Sequence, residues 1–122
     1  MGRAGRFGGV VKARAFPRKG DFVAVSFDPQ AGHEQKGRRP ALVISNDLFN
    51  QATGMAMLCP LMTTDRGYPF HVRVPEACEV TGFVMVEQVT SVDVRARRAT
   101  PIGRAPDDLL DEVLAVLDAC LF

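Results

Sequence analysis

Six side chains able to do chemistry fall within the eleven residues Pro29 to Arg39, PQAGHEQKGRR: His33, Glu34, Gln35, Lys36, Arg38 and Arg39. A carboxylate and an imidazole can exchange protons near neutral pH. Two guanidiniums beside a lysine can hold an anion, and arginine grips phosphate through two parallel N–H donors. The set suits acid–base chemistry next to a phosphate. A solvated loop with a surface arginine pair has the same residue types, although a plain connection in a small domain is usually shorter. His33, His71 and the cysteines Cys59, Cys78 and Cys120 show no zinc-ligand spacing, so no metal is expected. No glycine-rich phosphate loop is present, so no nucleotide cofactor is expected either.

The elements that must position this loop follow from hydrophobic periodicity. DFVAVSFD, residues 21–28, alternates as a strand with Val23, Val25 and Phe27 on one face. Pro40 can open a second strand, PALVIS. Ser45 or Asn46 can cap a short helix, NDLFNQAT, which Gly54 stops. MAMLCPLMTT reads as a third strand that Pro60 demotes to an edge or bends with a bulge. DRGY is a turn. PFHVRV is a fourth strand with Phe70, Val72 and Val74 together, and GFVMVEQV a fifth, apolar on both faces and therefore central. SVDVRARRA can add one more short strand. Pro106 suits the first position of a final helix, with Asp107 and Asp108 at the positive end of its dipole. Its apolar stripe is Leu109, Leu110, Val113, Leu114, Leu117, Cys120 and Leu121. The expected class is mainly β: a small antiparallel barrel or curled sheet with a C-terminal helix packed on it.

Composition agrees with one folded unit. The chain has 122 residues, of which 47% are hydrophobic and 24% charged. Residues 17–122 are expected to form the domain, and residues 1–16 a mobile basic arm or an extension. The net charge of +1 hides opposed ends: six bases and no acid in residues 1–20, five acids and no base in residues 107–122. An odd number of cysteines without CxxC spacing fits reduced thiols, and no apolar run reaches membrane length. A cytoplasmic protein is the expectation.

The segments GDFVAVSFDPQAGHEQKGRRPALVIS, LFNQATG, GYPFHV and EQVTSVDVRARRA, in that order, resemble the MazF/PemK (Kid-type) family of toxin–antitoxin endoribonucleases. The resemblance runs from about Lys19 to the C-terminus. It implies an SH3-like barrel that forms a homodimer and cleaves single-stranded RNA at short sequences without a metal or cofactor. It also implies products with 2′,3′-cyclic phosphate and 5′-hydroxyl ends, and inhibition by a cognate antitoxin with an acidic tail.

Carried over residue by residue, the resemblance makes Arg39 the catalytic arginine. Glu34 matches the loop acid, which either relays a proton or braces Arg39. His33, Lys36 and Arg38 are RNA-binding candidates on the same loop. Two departures stand out. The family threonine two residues after the third-strand proline aligns with Met62, which cannot hydrogen-bond a phosphate. Thr63 replaces it only if a bulge turns it inward, because successive strand residues face opposite sides. Glu87 stands where the family commonly has an aspartate, assigned in some relatives as the general base. Its neighbour Gln88 can read a base edge or satisfy backbone groups. Arg95 and Arg97 share a strand face in RARR, where they either track phosphates or protect an edge. Phe49 and Tyr68 can stack on bases, with core packing as the blander alternative. Met62 also keeps open a catalytically weakened relative that binds RNA or antitoxin without cutting. A CcdB-like gyrase inhibitor shares the fold, but such a protein has no need of an acid–arginine phosphate site.

Overall fold

In the computed structural model, residues 16–27 and 37–122 are described. Seven strands and two α-helices follow along them: β1 (Asp21–Ser26), β2 (Arg38–Val43), α1 (Asp47–Thr53), β3 (Met55–Met62), β4 (His71–Arg73), β5 (Phe83–Met85), β6 (Thr90–Asp93), β7 (Thr100–Arg104) and α2 (Asp107–Leu121). All pairings are antiparallel, in the order β4-β5-β3-β2-β1-β7, with β6 also on β3. This is the expected class, a curled antiparallel sheet with a terminal helix.

Side-chain alternation divides the sheet into two apolar faces. Val23, Val25, Ala41, Val43, Ala56, Leu58, Val92 and Val94 form one buried cluster, joined by Phe16 and Phe27. Phe22, Leu42, Cys59, Leu61, Val72, Val84 and Val86 form the other, which Leu109 and Val113 of α2 cover. The helix stripe packs only as far as Leu117; Cys120 and Leu121 are exposed. Pro106 is the N-cap in extended conformation, one residue before the helix rather than its first residue.

The first helix follows its signals. The Asn46 side chain accepts a hydrogen bond from the Phe49 N–H, and Gly54 ends the helix at φ 73°. Pro60 does not make β3 an edge. The strand pairs β2 continuously through Ala41↔Pro60, Leu42↔Cys59 and Val43↔Leu58, with no register shift. On its other side β6 pairs residues 55–58 and β5 pairs Leu61 and Met62. Pro60 falls between these two partners, where the ladder does not need its missing N–H.

Two further expectations change. β5 has three residues and is followed by a 3₁₀ turn, Val86–Gln88, so GFVMVEQV is not one strand. RARR is not strand either. β6 ends at Asp93, whose carboxylate accepts hydrogen bonds from the Arg95 and Ala96 N–H groups, and Arg98 takes φ 54° in the turn that follows. Arg95 and Arg97 therefore share no strand face. The last strand, β7, has no sequence signal because Pro101 and Gly103 interrupt it. It pairs only β1, an edge position that tolerates proline, and the register shift between Phe22 and Val23 leaves Ile102 as the extra residue of a bulge.

Candidate active site

Arg38 and Arg39 open β2 and, as neighbours, point to opposite faces. Arg38 turns back onto the sheet. Its Nη2 donates to the carbonyls of Ala24 at 2.9 Å and Arg98 at 2.8 Å and to Thr100 Oγ1 at 3.1 Å, while Nη1 donates to Ser26 Oγ. Burial and the nearby Arg98 charge lower its pKa. The guanidinium ties β1, β2 and the start of β7 together. Arg97 is likewise half-buried, donating to the Ser26 and Phe27 carbonyls, whereas Arg95 is exposed. Arg39 is exposed, and its guanidinium makes no hydrogen bond to a described residue.

Continuing the β2–β3 register by two residues sets Arg39 opposite Met62. There a cavity of about 250 Å³ opens, lined by Arg39, Met62, Thr63, Thr64 and Thr81 among others. Regular strand structure ends at Met62, so the alternation that would hide one of the two threonines no longer applies. Both border the same cavity as Arg39, with no bulge at Pro60. The close approach of Gly82 fixes this corner. Gly82 has φ 121°, and a Cβ there would collide with the Met62 carbonyl oxygen.

On the other side of Met62 lies a second cavity of about 290 Å³, bordered by Arg66, Tyr68, His71, Met85, Glu87 and Gln88. Met62 borders both, so the two cavities adjoin at this residue. His71 pairs with Met85 in the β4–β5 ladder, and the 3₁₀ turn brings Glu87 back beside it. The Nε2–Oε2 separation is 2.9 Å, and the His71 side chain is only 3% exposed. Its Nδ1 is buried without a partner among the described residues. A buried N–H left unpaired costs about 1–3 kcal/mol. The arrangement therefore selects the tautomer with the proton on Nε2, donated to Glu87, and a bare Nδ1. The Tyr68 ring lies 5.0 Å from the imidazole, tilted by 49°. Tyr68 is 53% exposed and borders the groove instead of the core, while Phe49 is half-buried. Burial, with the Glu87 charge as a second cause, pushes the Cys59 thiol up to about 12.

The structure thus places Arg39 and Thr63 on one cavity and Glu87 and Gln88 on the cavity adjoining it at Met62, and sends Arg38 and Arg97 to structural bonds. Glu34, His33 and Lys36 lie outside the described residues. Among the described residues, no three His, Cys, Asp or Glu side chains converge as metal ligands would. Sequence reasoning missed Arg66 and His71. His71 occupies a polar position in an alternating strand, and only the β4–β5 register reveals its proximity to Glu87.

A sequence model of PemK-like, MazF-like toxins of type II toxin–antitoxin systems matches residues 18–121. The endoribonuclease toxin MazF of Escherichia coli strain K12 is 44% identical over 98 residues, covering 80% of this chain and 87% of that protein. The endoribonuclease toxin ChpB of the same strain is 44% identical over 116 residues, covering 90% and 97%. Among solved structures, MazF of Deinococcus radiodurans superposes with a TM-score of 0.77 at 44% identity, over 87% of this chain and 96% of that one. A MazE–MazF structure from the same organism gives 0.77 at 38% identity, over 87% and 95%. With the family match spanning nearly the whole folded unit, the chain belongs to the PemK-like, MazF-like toxins of type II toxin–antitoxin systems.

Proposed function

We propose that this protein is an endoribonuclease toxin that cuts single-stranded RNA at a short sequence without a metal, leaving 2′,3′-cyclic phosphate and 5′-hydroxyl ends. The observation that carries the reading is the pair of cavities adjoining at Met62, one lined by Arg39 and two threonines and the other by Glu87 and Gln88. In-line attack of a 2′-hydroxyl forms the 2′-O–P bond and breaks the bond from phosphorus to the 5′-oxygen. Arg39 holds the phosphate and stabilises its developing charge. Thr63 donates to a phosphate oxygen, Glu87 takes the 2′-hydroxyl proton, and the loop acid Glu34 returns a proton to the leaving oxygen. His33, Lys36 and Gln88 contact the flanking nucleotides.

The protein acts as a homodimer in the cytoplasm and is neutralised by a cognate antitoxin whose acidic tail competes for the same basic groove. The MazE–MazF structure of D. radiodurans supports the antitoxin. No helix among the described residues is long and apolar enough to cross a membrane.

Met62 favours a second reading, a weakened enzyme that binds RNA but cuts slowly, because a thioether stands where the two cavities adjoin and a hydroxyl would serve. Cleavage assays on wild type, Arg39→Ala and Met62→Thr decide between them. The enzyme reading expects cutting by wild type and its loss in Arg39→Ala. Binding without cutting by wild type, with cutting gained in Met62→Thr, would establish the weakened relative.

A further inference from the structure

His71 presents a cost that packing does not explain. Its imidazole is only 3% exposed yet makes a single hydrogen bond among the described residues, to Glu87 Oε2 at 2.9 Å. An apolar side chain would fill the same space without an orphaned nitrogen. The neighbouring backbone is held firmly. His71 N–H donates to the Tyr68 carbonyl, and Val86 N–H donates to the Phe70 carbonyl, so the chain on either side of the pair is cross-linked. The imidazole is thus a fixed donor with one target.

We propose that His71 is a positioning residue: it holds one oxygen of Glu87 and thereby aims the other into the groove toward the reacting 2′-hydroxyl. This rests on the endoribonuclease reading above. A glutamate has one more rotatable bond than the aspartate common at this place, and an untethered one samples several rotamers. A carboxylate is planar, so a donor fixed on Oε2 also sets the direction of Oε1, which receives no hydrogen bond from a described residue. Both border the same cavity, but the Glu87 side chain is 31% exposed and that of His71 only 3%. The imidazole therefore acts through Glu87 and does not meet the RNA. Through the reaction His71 keeps its Nε2 proton, and the 2′-hydroxyl proton goes to Oε1. Tyr68 packs beside the imidazole and helps hold its ring in place.

The test compares wild type, His71→Leu, His71→Gln and Glu87→Gln, with the His71→Leu/Glu87→Gln double variant, in single-turnover RNA cleavage. Leucine keeps the packing and removes the donor. It is expected to lower kcat about tenfold or more, with KM changed less than twofold. Glutamine reaches Glu87 with an amide N–H and should restore kcat to within about threefold. In the Glu87→Gln background His71→Leu should cost almost nothing further, since the two act as one unit. Where leucine prevents folding, asparagine replaces it, because its shorter amide stops short of Glu87. The ¹⁵N spectrum of the His71 imidazole reports the pairing without RNA: Nε2 protonated, Nδ1 bare, and the Nε2 signal displaced in Glu87→Gln. Equal cleavage by wild type and His71→Leu, an undiminished loss in the Glu87→Gln background, or an Nδ1-protonated imidazole would each overturn the proposal alone. No cleavage by the wild type would instead overturn the endoribonuclease reading, and this one with it.

Discussion

At the scale of single residues, the two adjacent arginines separate cleanly. Arg38 directs its guanidinium to a β1 carbonyl, a carbonyl of the turn after β6 and two hydroxyls, whereas Arg39 makes no hydrogen bond to a described residue. Hydrogen bonds to charged groups contribute about 1.5–3 kcal/mol, less when partly solvated. Arg38→Ala should therefore lower thermal stability by roughly that amount, read from denaturant melts, while the cut site is kept. Arg39→Ala should melt like the wild type and lose about 10²–10³ in kcat, the usual cost of removing one donor to a developing oxyanion. Residue type alone could not make this distinction. The sequence shows both arginines in one motif, and only their alternation on β2 sends one inward. The same limit applied to Thr63, whose facing depends on where β3 stops being regular.

Elements explain why the groove sits where it does. Most of them were legible: the capped helix α1, the alternating strands β1 and β2, and the stripe of α2 each carry a local signal. β7 was not, because a strand built from TPIGR relies on pairing with β1 rather than on its own propensity. Pro60 misled for a related reason, since its tolerance depends on which neighbours flank β3. The close contact between Gly82 and the Met62 carbonyl joins the start of β5 to the end of β3. Gly82→Ala adds a side chain at a φ that L-residues avoid and drives the two strands apart. It should cost about 1–3 kcal/mol of stability and displace Thr63, lowering cleavage beyond what the fraction unfolded accounts for. Paired melts and kcat measurements on the same preparation check this.

For the whole molecule, location of charge matters more than its sum. The acids at the C-terminal end lie on α2, which covers one apolar face of the sheet. The basic residues before Phe16 lie outside the described residues, while Phe16 itself packs against the core. Deleting residues 1–15 should weaken RNA binding, with a shallower dependence on salt, and leave the cut sequence unchanged. Binding titrations at two ionic strengths and end mapping test that. The thiols give an independent check of the fold. Cys59 is buried, and its pKa is pushed up to about 12, so at neutral pH it stays protonated and unreactive. Exposed Cys120 should label with a thiol reagent in the native protein, and Cys59 only after unfolding. Mass spectrometry of the labelled peptides distinguishes the two.

The central claim is transfer of phosphate to a neighbouring 2′-hydroxyl, with the chemistry done by side chains along the Arg39 groove. The most direct measurement is the mass of the fragments released from a defined single-stranded RNA by wild type and Arg39→Ala, in excess chelator. The account predicts wild-type fragments ending in 2′,3′-cyclic phosphate and beginning with 5′-hydroxyl, and the same fragments released about 10²–10³ times more slowly by Arg39→Ala. Fragments carrying 5′-phosphates, or cleavage that the chelator abolishes, would contradict it.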